Sequence, residues 1–176
     1  MPATDTFQRI ADAIDRLNGI IGRGVAWLAL VIVLSQFAIA VMRYVLGVGS
    51  IWLQESVLYG HAALFMLAAA WTLRADGHVR IDILYGQAAP RTKALVDLLG
   101  ALLLLLPFMA VLGWYAWPYV MRSWAILERS QEVSGLPFVY LLKTLIPLFA
   151  LTVALQGIAQ AIRAWTVLVT RDDMAR

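Results

Sequence analysis

Four long apolar stretches, separated by polar segments, dominate the pattern of this 176-residue chain. The stretches contain no Asp, Glu, Lys or Arg, and they are Gly24–Met42, Ser56–Leu73, Leu98–Met121 and Thr144–Ile162. About 20 helical residues, at about 1.5 Å each, cross a hydrocarbon core of about 30 Å. The pattern therefore predicts a membrane domain over residues 24–165, with spans near residues 24–43, 55–73, 96–120 and 140–163.

The composition supports a membrane environment. Apolar residues make up 62% of the chain and charged residues 14%, against about 45–50% and about 25% in soluble domains. A soluble bundle with buried helices is the alternative, but each of its helices would need a charged face toward water, and none of the four stretches has one. The predicted fold class is therefore all-α, an integral membrane protein of four transmembrane helices.

Residues 1–23 form an amphipathic segment ahead of the first span. Its apolar side chains recur at helical spacing, and they are Phe7, Ile10, Ala11, Ile14, Leu17 and Ile21. This predicts an N-terminal interfacial helix in the headgroup layer, with Gly22 and Gly24 permitting a turn into the membrane. A short surface helix packed on a partner protein is the alternative reading.

The first span also has one feature of a signal peptide, because Ala38-Ile39-Ala40 has the small-x-small form of a cleavage site. A secretory signal begins with a short, net basic region. In contrast, residues 1–23 carry three Asp and three Arg. We therefore expect an uncleaved first helix.

The distribution of Lys and Arg predicts the orientation. Ten of the 14 basic residues fall in the N-terminal segment, the middle loop and the C-terminal tail of residues 166–176 with its border. Basic residues favour the cytoplasmic side. We therefore expect both termini and the middle loop to be cytoplasmic. Aromatic residues concentrate at the predicted outer boundary, and they are Tyr44, Trp52, Trp114, Tyr115, Trp117, Tyr119 and Trp124.

Two segments are expected to be irregular. Pro107 lies inside the third span, where it removes a backbone hydrogen bond and predicts a kink. After the second span, apolar and polar residues alternate over His78–Tyr85, which would indicate a strand in water. Beside a membrane an isolated strand leaves its backbone unpaired, so a short interfacial helix or an extended loop against a partner is the expectation.

Glu55 is the first candidate for a functional charge, near the start of the second span. Its carboxylate suits the N-terminal end of a helix and could pair with Arg43 or Lys143 near the same boundary. A proton or cation site is the alternative. Structural pairing or partner docking is favoured, because Glu55 lies at the membrane edge and not at its centre.

Three further polar side chains are candidates for contacts between helices: His61, Gln156 and Gln160. The two amides lie four residues apart on one helix face, which suits hydrogen bonding between helices. His61 could alternatively relay protons. It cannot share a haem iron with His78, the only other histidine, because a helix joining them would separate them by about 25 Å.

Several function classes find no support in the sequence. The absence of cysteine excludes disulfides within the chain, thiolate zinc sites and cysteine-ligated clusters. Phosphate loops, catalytic triads and metal-ligand clusters are also missing, so we expect no enzyme and no cofactor. The net charge of +3 belongs to residues between the spans, where lipid headgroups and not nucleic acid are the expected partner. A transport pathway has little support, because no inverted repeat or central charge is present.

Three short motifs together resemble a known family. They are Ser50-Ile51-Trp52-Leu53-Gln54-Glu55, Gly77-His78-Val79-Arg80-Ile81-Asp82, and Leu136-Pro137 followed by Leu142-Lys143-Thr144-Leu145-Ile146-Pro147. In their order along the chain and their positions relative to the four spans, these motifs resemble the small permease subunit of tripartite ATP-independent periplasmic (TRAP) transporters. The resemblance covers about residues 10 to 165. Leu155-Gln156-Gly157 is similar to the mannitol/chloroaromatic branch.

The resemblance implies a subunit of an ion-coupled uptake system for organic acids in the bacterial inner membrane. In that family a large permease subunit carries the substrate and ion sites, a periplasmic binding protein delivers the ligand, and the small subunit braces the large one. It implies a docking role for Trp52, Glu55 and the external segment 122–138, which includes Glu128, Arg129 and Glu132. It implies a cytoplasmic loop motif of Gly77, His78, Arg80 and Asp82.

Two other functions remain open from the residues alone. The four-helix count and His61 would also suit a membrane anchor subunit of a redox enzyme, with haem ligands from another chain. Glu55 and His61 as ion-coupling groups would suit a small transporter that works as a homo-oligomer.

Overall fold

Long helices account for the structure, a computed structural model that describes residues 2–78 and 85–174. They are α1 (Pro2–Tyr44), α2 (Ile51–Arg74), α3 (Pro90–Leu99), a π-helical segment (Gly100–Leu105), α4 (Leu106–Ala125) and α5 (Val139–Met174). The described residues contain no strand. Four helical stretches are long and apolar enough to span a membrane: Asp5–Tyr44, Ile51–Arg74, Pro90–Ala125 and Val139–Val169. The predicted fold class is thereby confirmed.

The predicted turn at Gly22 and Gly24 is absent, because α1 continues through both residues as one helix of 43 residues. At 1.5 Å per residue α1 is about 64 Å long, about twice the thickness of a hydrocarbon core. The amphipathic segment is therefore helical, as predicted, but it is continuous with the first span.

Close packing explains the glycines of α1 better than a turn does. A Cβ atom added at Gly22 would lie 2.7 Å from Cδ2 of Trp71, and one added at Gly19 would lie 2.6 Å from Nη1 of Arg74. Both distances are shorter than van der Waals contact, but the Arg74 atom is the end of a flexible side chain that can move aside, whereas the Trp71 contact includes its Cβ. Only glycine at position 22 therefore lets α1 approach α2 this closely. In contrast, a Cβ at Gly24 would meet nothing within 4 Å.

The last helix is the centre of the bundle, because α5 contacts α1, α2, α3, the π-helical segment and α4. Two groups of buried side chains pack along it. The first is Ala94, Leu98, Ala101, Ala161 and Ala164, and the second is Ala70, Met109, Ala150 and Val153. Most are small, as is usual where membrane helices approach closely.

The irregularity predicted at Pro107 takes the form of the π-helical segment that directly precedes it. The N–H of Leu106 donates to the carbonyl of Ala101, five residues back. Pro107 has no N–H, and in a regular α-helix its ring would clash with the carbonyl of Leu103. A wider turn ahead of the proline relieves this clash, which is a common origin of π-helical turns and helix distortions.

The segment between α2 and α3 is described only at its ends. Gly77 and His78 follow the last turn of α2, and the N–H of Gly77 donates to the carbonyl of Thr72 at 2.9 Å. Residues 79–84, with Arg80 and Asp82 of the predicted loop motif, lie outside the described residues. The expected interfacial helix or extended loop at 78–85 therefore stays a prediction.

We predict that Gly22→Ala lowers the stability of the chain, while Gly24→Ala does not. The new methyl group at position 22 would push α1 away from Trp71, and overpacking of this kind costs about 1–3 kcal/mol. At position 24 the same change meets no neighbour and gains helix propensity. Thermal unfolding of both variants in detergent provides the measurement. Equal midpoints would contradict the close contact between α1 and α2.

Candidate functional site

The polar side chains of the described residues concentrate at the two ends of the bundle. At the end that holds both chain termini, the "amide cluster" consists of Asp15, Asn18, Arg74, Gln156 and Arg163. At the opposite end, the "loop cluster" consists of Glu55, Glu128, Ser130, Leu136 and Lys143. Each cluster connects elements that are far apart in sequence.

The amide cluster is built around two buried side chains. Gln156 is 0% exposed and Asn18 is 1% exposed. Nδ2 of Asn18 donates to Oε1 of Gln156 at 2.9 Å and to the carbonyl of Thr152 at 3.3 Å. Nε2 of Gln156 donates to Oδ1 of Asp15 at 2.9 Å. These bonds fasten α1 to the middle of α5.

A shared carboxylate adds α2 to this contact. Nη2 of Arg163 lies 2.5 Å from Oδ2 of Asp15, and Nε of Arg74 lies 3.5 Å from the same oxygen. Arg163 also lies 3.4 Å from Asp12. Because Arg74 ends α2 and Arg163 belongs to α5, Asp15 joins three helices through one carboxylate.

Gln160 extends the same contact by one turn of α5. Its Nε2 donates to the carbonyl of Leu73 at 3.2 Å. The same carbonyl also accepts a hydrogen bond from the backbone N–H of Asp76 at 3.2 Å, so Gln160 adds a bond from α5 to the capped end of α2. Both amides of the predicted pair, Gln156 and Gln160, thus lie where helices meet.

The amide cluster contains four residues that sequence reasoning did not single out: Asp15, Asn18, Arg74 and Arg163. In the sequence, Asp15 is one of three Asp in residues 1–23, and Arg74 and Arg163 are among the ten basic residues that predict the orientation. Asn18 has one distinguishing feature in the sequence, because it is an amide within the apolar run from Leu17 to Ile21. That feature does not reveal its partner, which is 138 residues away.

In the loop cluster, Glu55 binds the segment between α4 and α5. Its Oε1 accepts a hydrogen bond from the Ser130 hydroxyl, and its Oε2 accepts one from the N–H of Leu136 at 2.5 Å. The Leu136 side chain is buried, at 6% exposure. The proposed pairing of Glu55 with Lys143 is not formed, because Lys143 pairs with Glu128 instead. Glu55 lies in the second turn of α2, which starts at Ile51 with Ser50 as its N-cap.

The ion pair of Lys143 and Glu128 fixes the other side of the same loop. Nζ of Lys143 lies 2.5 Å from Oε2 of Glu128 and 4.2 Å from the ring centre of Tyr119. The hydrogen bond from Lys143 lowers the pKa of Glu128 below its ordinary value. The backbone N–H of Val139 also donates to the carbonyl of Glu128 at 3.1 Å. Residues 126–138 are therefore held to both α2 and α5.

The tip of this loop projects outward. Arg129 and Glu132 are exposed, and Val133 is fully exposed. Trp52, at the start of α2, is 55% exposed. The tip thus presents an apolar side chain and charges of both signs to the surroundings. Val133 is a residue that the sequence analysis did not name.

An open groove of about 990 Å³ lies between α4 and α5. Its lining includes Met109, Trp114, Trp117, Pro147 and Leu151, and it contains no charged side chain. An organic anion would need a cation or several hydrogen-bond donors in such a site. The groove therefore does not suit an organic acid substrate.

His61 lies on the outside of the bundle, near the middle of α2. Among the described residues it has no hydrogen-bond partner, so the contact between helices that its position predicted is not formed within the chain. His78 follows α2, outside the span. The two histidines are thus not brought together.

Comparison with known proteins identifies the family. The family model described as "Tripartite ATP-independent periplasmic transporters, DctQ component" matches residues 25–167. Neither the curated proteins nor the solved structures contain a match. The match covers the whole membrane domain and confirms the resemblance seen in the motifs, whereas the mannitol/chloroaromatic branch stays a prediction. The chain therefore belongs to the DctQ component family, the small membrane subunits of TRAP transporters.

Proposed function

We propose that this chain braces the large permease subunit of a TRAP transporter and helps dock the substrate-binding protein during ion-coupled uptake of organic acids. Family membership implies association with a large permease and a binding protein, in the inner membrane. The observation that carries the proposal is the position of the polar groups. The ion pairs of the described residues lie at the two ends of the bundle, and the groove between α4 and α5 is uncharged.

Exposed apolar surface on α1 supports the bracing role. No residue in the most apolar stretch of α1 is buried within the chain. Trp27 is 72% exposed and Phe37 is 69% exposed. A helix that its own chain leaves uncovered can be covered by lipid or by a partner helix. A subunit whose main role is to present such surfaces needs no pathway of its own.

The loop of residues 126–138 supports the docking role. Glu55, Glu128 and Lys143 hold it in place, so that Arg129 and Glu132 can meet a partner from a fixed surface. A preordered loop lowers the entropy that binding must otherwise offset. Trp52 lies about one turn before Glu55 in α2. We assign this surface to the periplasmic side, where the binding protein arrives.

The orientation agrees with this assignment of sides. Basic residues concentrate at the end of the bundle that holds the chain termini, which favours the cytoplasm for that end. Gly77 and His78, the described part of the predicted loop motif, then lie on the cytoplasmic side. The redox-anchor alternative gains no support from the family match.

We predict that vesicles containing the large permease and the binding protein take up substrate only when this chain is also present. The reason is that the brace and part of the docking surface would otherwise be missing. Uptake of the radiolabelled organic acid under a sodium gradient is the measurement, with the complete three-component system as the control. Full activity without the chain would refute an obligatory role.

We further predict that Glu55→Gln weakens binding of the binding protein by about 5- to 30-fold, because an amide loses the charge that accepts two hydrogen bonds from the loop. The sodium and proton dependence of the remaining uptake should not change. Affinity measured on the intact complex, together with the ion dependence of uptake, tests both statements. A change in ion coupling with unchanged assembly would make Glu55 an ion site instead.

The pair of Glu128 and Lys143 gives a prediction for acid pH. Because the folded protein lowers the pKa of Glu128, the pair stabilises the loop above the ordinary pKa of glutamate. This contribution is lost as the pH falls through the lowered pKa. Affinity for the binding protein should therefore stay constant in mildly acidic buffer and decrease only once the pH falls below the ordinary pKa of glutamate, and less so in Lys143→Met, which has already lost the pair. The same pH profile in both proteins would contradict this role.

A further inference from the structure

One face of α2 carries a row of exposed side chains. They recur at spacings of three and four residues, and they are Ile51, Gln54, Leu58, His61 and Phe65. We call this row the α2 stripe. A repeat of alternating three and four residues is the spacing of a seam along which two helices pack together.

The neighbours of α2 within the chain lie on its other faces. Gly60 approaches Ile32 of α1, and Ala70 packs with residues of α4 and α5. At about 100° per residue, both Gly60 and Ala70 point more than about 100° away from the centre of the stripe. The α2 stripe is therefore a further packing face, and this chain leaves it uncovered.

The stripe places the imidazole of His61 near the centre of the membrane. His61 is ten residues after Ile51 and 13 before Arg74, which is about 15 Å and about 20 Å from the two ends of α2. An ionisable side chain at this depth is costly in lipid and usually faces protein or a water-filled cavity. His61 has no partner within the described part of this chain.

A second polar side chain lies close to this depth. Gln36 of α1 is exposed, and the contacts of Gly22 with Trp71 and of Ile32 with Gly60 fix the antiparallel pairing of α1 and α2. This pairing puts Gln36 level with about Val57, between the levels of Gln54 and His61. The α1–α2 pair thus exposes two polar side chains, Gln36 and His61, at a depth where lipid offers no hydrogen bonds.

We propose that the α2 stripe is the surface on which a transmembrane helix of the large permease subunit packs, with His61 bonded to a polar group of that helix. The inference rests on the proposed function, because the family supplies the partner. Leu58 and Phe65, which are 58% and 71% exposed, lie on either side of His61. They surround its hydrogen bond with apolar contacts.

Photo-crosslinking in the assembled complex tests the surface. A benzophenone amino acid replaces Phe65 in the stripe or, as a matched control, Phe108 of α4, which is 63% exposed. We expect a product with the mass of this chain plus the large subunit from position 65, at a yield several-fold above that from position 108. Equal or lower yield from position 65, attachment to lipid alone, or a product of two copies of this chain would overturn the proposal.

Substitution of His61 tests the hydrogen bond. His61→Leu should reduce the amount of large subunit that co-purifies by about 3- to 30-fold, whereas His61→Gln, which still donates and accepts, should retain most of it. Thermal unfolding of the isolated chain should not change in either variant, because His61 is exposed there. Equal co-purification of both variants with the wild type would contradict a bonded His61.

The crosslinking experiment and the uptake assay test the proposed interface and the proposed function separately. A crosslink from position 65 in a system whose uptake does not need this chain would leave the interface in place and refute the obligatory role. Uptake that needs the chain, without that crosslink, would refute the α2 stripe and leave the bracing function in place.

Discussion

The carboxylate of Asp15 holds the bundle together at one end, because the arginines that it binds belong to two other helices. In a membrane the hydrophobic effect does not drive helices toward one another, since lipid tails are as apolar as leucine. Association depends on close packing and on hydrogen bonds between helices, each worth about 0.6 to 2 kcal/mol. Asp15, Asn18 and Gln156 supply such bonds with little exposure to solvent. The glycine at position 22 supplies the close packing of α1 on α2.

The distribution of polar groups connects this architecture to the function. At the other end of the bundle, Glu55 and Lys143 fix the loop of residues 126–138. Between the ends, the groove of α4 and α5 is apolar, and the histidine of α2 faces outward. A path for an organic anion would need polar groups facing inward at mid-membrane depth. The arrangement suits a subunit that stabilises and orients its partners.

Much of the fold could be predicted from the sequence, because a bilayer imposes both a length and a composition on each span. The four spans and their helical character follow from these two constraints. The disturbance near Pro107 follows from the missing N–H and the ring of proline. The continuity of α1 could not be predicted, since glycine permits a turn and close packing equally well. Which role Gly22 has depends on Trp71, 49 residues away, and no local pattern contains that information.

The candidate sites were predictable in part. Gln156 and Gln160 stood out because amides are rare in a span and these two share a face. The charged residues around them could not be predicted as partners, because charges at a membrane border have many possible roles. In the sequence, Asp15 and Arg74 have the pattern of ordinary surface charges. Glu55 was recognised as important, but its partners are a hydroxyl and a backbone N–H in a loop whose shape has no sequence signature.

The central claim is that this chain has no transport pathway of its own. Proteoliposomes that contain only this chain, given a sodium gradient and the labelled organic acid that the complete system transports, test it most directly. The account predicts uptake equal to that of empty liposomes. Saturable uptake above that level would contradict it.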